Sequence, residues 1–354
     1  MNDNQPPQDP HPAPQKPPRR KRYSGKNPRR FEDKYKELEP ARYSADVDKV
    51  LASGKTPAGT HRPIMVAEIL QVLAPSPGDT ALDCTLGYGG HALAILNAIQ
   101  PAGRLLAMDV DPIELPKTEA RLRSLGHAEN ALTTRRSNYA GCAKFVAEAA
   151  PNGVQIILAD LGLSSMQIDN PARGFTFKAE GPLDLRMNPE RAQPASALLA
   201  NLAESALASL LLENADEPAA ASLARHLCAS RSTQPILTTT QLARAVRSHP
   251  GSDEDTVRRV FQALRIAVND EFAALDSMLR QLPTCLAPGG RVAILAFHSG
   301  EDRRVKLAFK NGLHAGLYDA ISPEPLRPTP AEVHANPRAR STKLRWARRT
   351  TATH

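Results

Sequence analysis

The sequence predicts an α/β fold: a Rossmann-like sheet interrupted by an all-helical insertion. Three observations carry this. Short apolar strands alternate with helical segments from about residue 61 to residue 160. Residues of about 195–282 are then rich in Ala and Leu at helical spacing. An apolar run after Pro288-Gly289-Gly290 restores the strand pattern. Strands alternating with helices build a parallel sheet covered on both faces.

In chain order, residues 1 to about 45 read as a disordered tail, because seven prolines fall in the first twenty positions and almost no apolar residue follows. Ile64–Leu73 is amphipathic with helical period. Thr80–Leu86 reads as a strand, followed by a glycine turn and a helix from about His91 to Ile99. Arg104–Met108 is a second strand, with a helix around Leu115–Leu125. Val154–Leu158 is a strongly apolar strand ending at Asp160. Leu207, Leu210, Leu211, Leu223 and Leu227 mark helices of the insertion. Thr238–Thr240 before Gln241 is a capped helix start, and one long helix is expected from about Asp253 to Leu282. Arg291–Phe297 is the late strand. The expected organisation is a tail over 1–45, a sheet domain over 46–168, a helical module over 169–260, and the rest of the sheet domain with a basic C-terminal segment over 261–354.

With 41% hydrophobic and 23% charged residues in 354, a globular core is expected. No apolar run is long enough for a membrane span, and the N-terminus lacks the apolar stretch of a signal peptide. Cys84, Cys142, Cys228 and Cys285 are far apart in sequence, which suits a reducing cytoplasm and argues against zinc or a disulfide framework. The net charge of +8 sits at the ends. Residues 1–30 carry eight Lys/Arg against two Asp, and residues 336–354 carry six Lys/Arg and no acid. Such ends can steer a polyanion, or can be solvated tails.

The most informative local feature is Asp83-Cys84-Thr85-Leu86-Gly87-Tyr88-Gly89-Gly90-His91. A strand ends, glycines let the backbone approach a ligand, and a helix start presents free N–H groups. Asp109 closes the next strand, where an acid can accept both hydrogen bonds of a ribose. The glycine pattern also fits a dinucleotide fold, so an NAD-dependent oxidoreductase stays open at this point. Two features favour S-adenosylmethionine: Asp83, four residues before the first glycine, and Leu286–Gly290 before a late strand. Beyond the fourth strand, Asp160, Ser164, Ser165 and Gln167 gather at the same sheet edge, although Asp160 and Ser164 can equally cap the next turn.

Asp160–Gln167 with Asp169, Arg173–Phe177 and Gly181–Met187 resemble the RsmH (MraW) family of small-subunit ribosomal RNA cytosine-N4 methyltransferases. The resemblance continues in His61-Arg62-Pro63, Thr85–His91, Phe261–Ile266 with Asn269 and Glu271, Phe297-His298-Ser299 with Glu301–Arg303, and Asn336–Ser341. It covers about residues 60–349. It implies a class I S-adenosylmethionine-dependent methyltransferase sheet, a cytosine amino group of small-subunit rRNA or the small subunit as substrate, and a homodimer. It also implies cofactor contacts at Gly87, Gly89, Gly90, His91, Asp109, Tyr139, Asp160 and Gln167. A silent ribosome-assembly factor that keeps the pocket is a further alternative.

Asp160, or a carbonyl just after it, is the expected acceptor for the amino protons. No Pro-Pro-aromatic run follows it, so Phe175 and Phe177 are candidate base stackers, with core packing as the competing role. Arg173, Arg186, His298, Arg338 and Arg340 are candidate substrate contacts, as are Lys343 and Arg345; surface ion pairs are the alternative. No metal is expected, because Ser299-Gly300-Glu301-Asp302 reads as a capping box and no second cluster supports His298. Two departures from the family pattern stand near this loop: Ala296 for a usual serine and Gly300 for a usual leucine.

Overall fold

The computed structural model describes residues 63–351. The expected tail, and His61 and Arg62 of the resemblance, lie outside the described residues. A seven-stranded sheet runs in the order β3-β2-β1-β4-β5-β7-β6. Its strands are β1 Thr80–Asp83, β2 Arg104–Asp109, β3 Leu132–Arg136, β4 Val154–Asp160, β5 Leu286–Ala296, β6 Tyr318–Ile321 and β7 Lys343–Arg349. Strands β1 to β5 are mutually parallel, and β7 lies antiparallel between β5 and β6. A dinucleotide sheet of order 3-2-1-4-5-6 has no such wedge.

Strand alternation divides the core. Leu82, Leu106, Met108, Ile157, Val292 and Ile294 face one side, with α4 (Cys142–Ala149), α11 (Glu271–Cys285) and α12 (Ser299–His314) over them. Ala81, Leu105, Ala107, Ile156, Leu158 and Leu295 face the other, under α1 (Val66–Leu73), α2 (Gly90–Ile99) and α3 (Glu114–Arg123). The period of two is why each strand reads as a continuous apolar run: both faces are covered. A separate core joins Phe175, Leu183 and Leu185 to helices α6 (Ala195–Asn201), α7 (Glu204–Ala215), α8 (Ala220–Thr233), α9 (Thr239–Arg247) and α10 (Glu254–Asn269). No helix among the described residues is long and apolar enough to cross a membrane.

Several expectations need correction. The single helix over Asp253–Leu282 is two, because Asp270 takes φ 51° and ends α10. An Asn-Asp pair tolerates that left-handed turn, a stop signal hidden inside unbroken apolar periodicity. The first strand ends at Asp83, three residues before Leu86. Strands β3, β6 and β7 were missed. Lys343–Arg349 of the C-terminal basic segment is a sheet strand, and charges there are spent on structure: Arg345 and Lys343 both clamp Asp302 at 2.6 Å, and Arg348 meets Asp319 at 2.7 Å. Cys142 and Cys285 approach to 3.9 Å as buried thiols. The capped start at Thr238 is present, with Gln241 completing the box.

Candidate active site

The carboxyl ends of β1, β2 and β4 open on one cavity of about 1010 Å³. That lies at the top of the roughly 300–1,000 Å³ usual for one small ligand, so there is room for a second group. The glycine turn, Asp109, Tyr139, Asp160, Gln167, Phe175, Phe177, His298, Arg338 and Arg340 all line it. Arg173 and Arg186 do not.

The turn is stitched from both sides. Gly87 N–H donates to Asp109 Oδ2 at 2.7 Å, and the Thr118 hydroxyl donates to Gly87 carbonyl at 2.6 Å. Arg121 donates to the Tyr88 carbonyl. Gly89 caps α2 at φ 66°, and a Cβ there would stand 2.8 Å from Thr118 Cγ2. Only glycine fits both the left-handed backbone and the contact. Asp109 Oδ1 also accepts the Asp111 N–H at 2.9 Å. Burial pushes the Asp109 carboxyl up, and these N–H bonds oppose the rise. Each oxygen keeps a second lone pair for a ligand.

Asp111 is the residue that sequence reasoning missed. Fully buried, it accepts from Gln167 Nε2 at 2.7 Å, Arg173 Nη1 at 2.8 Å and the Ile113 N–H at 2.8 Å. Its one visible signal is the repeated acid in Asp109-Val110-Asp111. Arg173 therefore is no phosphate contact. It is a strut, donating also to the Met187 carbonyl at 2.8 Å. Arg186 is likewise occupied, forked onto Asp184 at 2.8 and 2.7 Å. Gln167 lines the cavity, but its amide is engaged by Asp111 and by the Ser164 N–H in the capping box of α5 (Ser165–Asp169), so the capping role expected as the alternative for Ser164 is the one observed.

Asp160 sits 3.5 Å from His91 Nδ1 through Oδ2, while its Oδ1 is buried without a partner. Burial pushes its carboxyl up, the nearby His91 opposes this, and Glu301 adds to it. Asp83 lies beneath the cavity wall, 1% exposed and outside the lining, so it cannot meet a ligand as expected. Tyr139 donates to the Glu271 carbonyl at 3.3 Å, and burial pushes its phenol up, keeping it protonated. Arg265 forks onto Glu271 at 2.8 and 2.9 Å beside it, a pair that also lines the cavity.

Phe175 belongs to the helical core at 8% exposure. Phe177 is half-buried, tilted against Phe261 with centroids 5.3 Å apart. Phe297 adds a third aromatic to the lining. Arg338 pairs with Asp169 at 2.6 Å, and Arg340 is exposed at the rim. The α12 cap is His298, one residue earlier than expected. Its box partner Glu301 accepts the Phe297 N–H at 2.7 Å, and His298 Nε2 lies 3.2 Å from Glu301 Oε1. Burial pushes Glu301 up, but His298, Arg265 and that N–H hold it below the usual carboxylate range.

Gly300 has a physical reason. A Cβ there would stand 2.6 Å from Phe272 Cζ, and that ring lies between His298 (5.8 Å) and the Arg304 guanidinium (4.2 Å). Gly300→Leu is expected to cost about 1–3 kcal/mol through overpacking. The penalty should shrink markedly in a Phe272→Ala background, as read from urea unfolding of all four proteins.

The residues fit a nucleoside with an amino-acid tail. Asp109 offers acceptors for a diol, Tyr139 an aromatic edge, and the start of α2 offers N–H groups for a carboxylate. The orphaned Asp160 Oδ1 is an acceptor with no donor among the described residues.

Comparison with known proteins agrees. Ribosomal RNA small subunit methyltransferase H 2 of Alkaliphilus metalliredigens is 49% identical over 339 residues, covering 93% of this chain and 97% of that one. Ribosomal RNA small subunit methyltransferase H 1 of Lachnoclostridium phytofermentans is 46% identical, covering 93% and 92%. Ribosomal RNA small subunit methyltransferase H of Thermomicrobium roseum is 40% identical over 309 residues, covering 82% and 94%. The pattern of the MraW methylase family matches residues 58–350, and with it the chain belongs to that family.

Proposed function

We propose that the protein methylates the N4 amino group of a cytosine in the decoding region of small-subunit ribosomal RNA. As a methylase of this family it takes the methyl group from S-adenosylmethionine. The observation that carries the proposal is the convergence of the glycine turn, Asp109 and Asp160 on one cavity large enough for nucleoside and base together.

When bound, S-adenosylmethionine supplies an electrophilic methyl on a sulfonium. The chain's task is alignment and proton acceptance. A cytosine amino group is a poor nucleophile because its lone pair is shared with the ring. An acceptor for its N–H protons localises that pair, and Asp160 Oδ1 is the acceptor we assign. Phe177 and Phe297 would hold the flipped base by stacking; Phe175 is better placed to support them from the core. Arg340 at the rim would meet phosphates, while Arg338 beside it is forked onto Asp169. The helical module expected over 169–260 would grip the RNA, with Arg173 and Asp111 setting its position against the cofactor turn. The proposal extends to a cytoplasmic homodimer acting on rRNA or on the assembled small subunit.

S-adenosylmethionine and S-adenosylhomocysteine are expected to raise the melting temperature, and NAD to leave it unchanged. Labelled methyl should appear as N4-methylcytidine, identified by mass spectrometry, in small-subunit rRNA from a strain lacking the protein. Stabilisation by NAD would restore the oxidoreductase. Cofactor binding without transfer to any small-subunit substrate would leave an assembly factor.

A further inference from the structure

His91 and Asp160 form an ionisable pair in the cavity with no hydrogen-bonded place for a shared proton. His91 Nε2 lies 2.9 Å from the Ile64 carbonyl, which can only accept, so that nitrogen carries a hydrogen. The ring's other nitrogen, Nδ1, therefore points at Asp160 Oδ2 across 3.5 Å. With neutral imidazole and ionised carboxylate, two lone pairs face each other and the space between them is an empty proton position. Asp160 Oδ1, on the other side of the carboxylate, has no partner. His91 is 8% exposed and the Asp160 side chain 31% exposed, so the imidazole is largely shielded while water reaches the carboxylate.

We propose that His91 is a positioning residue that acts through Asp160, offering Nδ1 as the resting place of the proton that the methylated amino group releases. The inference rests on the function proposed above. Forming the nitrogen–carbon bond uses the nitrogen lone pair, the sulfur keeps the sulfur–carbon pair, and the positive charge moves to nitrogen. It is discharged when an N–H bond breaks, the bonding pair staying on nitrogen and the proton going to Asp160. A half-turn of the protonated Asp160 carboxyl carries the proton from the Oδ1 side to the side facing His91 Nδ1, where the O–H bond breaks with its pair left on oxygen and the Nδ1 lone pair takes the proton; the pair returns it to solvent after product leaves.

The ionisable groups around the pair are mostly acids. From β1, Asp83 faces it; burial, opposed by the Thr85 N–H and the His91 charge, leaves that carboxyl raised to about 6. From α12 comes Glu301, which raises Asp160, while Asp109 at the end of β2 acts on Asp83. The guanidinium of Arg121 lies behind Gly89 from α3. Because the pair accepts a proton only when empty, turnover should rise with pH along one limb and then level.

Two measurements test this. In the intact protein at high pH, nitrogen NMR of His91 should show the Nε2–H tautomer with bare Nδ1. On acidification the ring and the Asp160 carboxyl should titrate together. A ring protonated on Nδ1 at high pH, or two independent titrations, overturns the proposal even if no methyl transfer is ever seen. Second, His91→Gln keeps a donor toward Ile64 but cannot take the proton. Its kcat should fall about 10²-fold, with KM for S-adenosylmethionine within about threefold and the acidic limb displaced by about one pH unit or more. An unmoved limb, or a loss confined to KM, overturns it. Failure of the wild type to methylate RNA would instead sink the function proposed above.

Discussion

Replacing Asp160 with Asn is expected to lower kcat by about a thousandfold or more while S-adenosylmethionine still binds within a few fold of wild type. The size follows from what is lost. An amide cannot take the amino proton, and one preorganised electrostatic partner at the reacting atom is commonly worth 10²–10³ or more. Thermal stability should hold or rise. Burial, the largest influence, keeps the Asp160 carboxyl above its unfolded value, so the folded state binds that proton more tightly. The ionised form therefore weakens the fold at neutral pH, an effect that fades as pH falls through the folded value. Asn carries no charge to desolvate. Single-turnover methyl transfer and calorimetric cofactor titration on the same sample check both halves. Wild-type turnover would remove Asp160 from the chemistry, and lost cofactor binding would reassign it to the binding site.

Asp111→Ala should produce the second large effect, on stability. Arg173 has only 10% of its side chain exposed, and Asp111 none. Removing the acid leaves a buried guanidinium without its counter-charge, which typically costs about 3–5 kcal/mol. It also orphans the Gln167 amide and the Ile113 N–H. Urea unfolding should show the loss. The double variant Asp111→Ala, Arg173→Met should recover part of it, because no uncompensated charge remains. The strut ties β2 to the segment running through Met187, so protease cleavage near residues 170–190 should accelerate in the single variant. Unchanged stability in Asp111→Ala would mean that water replaces the ion pair.

Why some of the site was legible and some was not follows from range. Gly87, Gly89 and Gly90 after an apolar strand, and an acid closing the next strand, are local signals. Backbone freedom and strand ends are properties of a few adjacent residues. The capping boxes at Ser164 and Thr238 are of the same kind. The arginines were illegible. Arg173, Arg186, Lys343 and Arg345 look the same in sequence as Arg340, and only their partners distinguish strut from contact. Asp111 was hidden for the same reason: its side-chain partners Gln167 and Arg173 stand more than fifty residues away.

By itself the sequence determined the alternating sheet, its glycine turn, the position of Asp109 and Asp160 at strand ends, and the membership that its ordered motifs announce. The tertiary structure alone decided which charges are free, that β7 is wedged between β5 and β6, that α10 stops at Asp270, and that His91 turns Nδ1 toward Asp160. Backbone periodicity and turn chemistry act over a few residues and are written in order along the chain. Charge pairing and burial act through space, between residues whose separation in sequence carries no information about their distance.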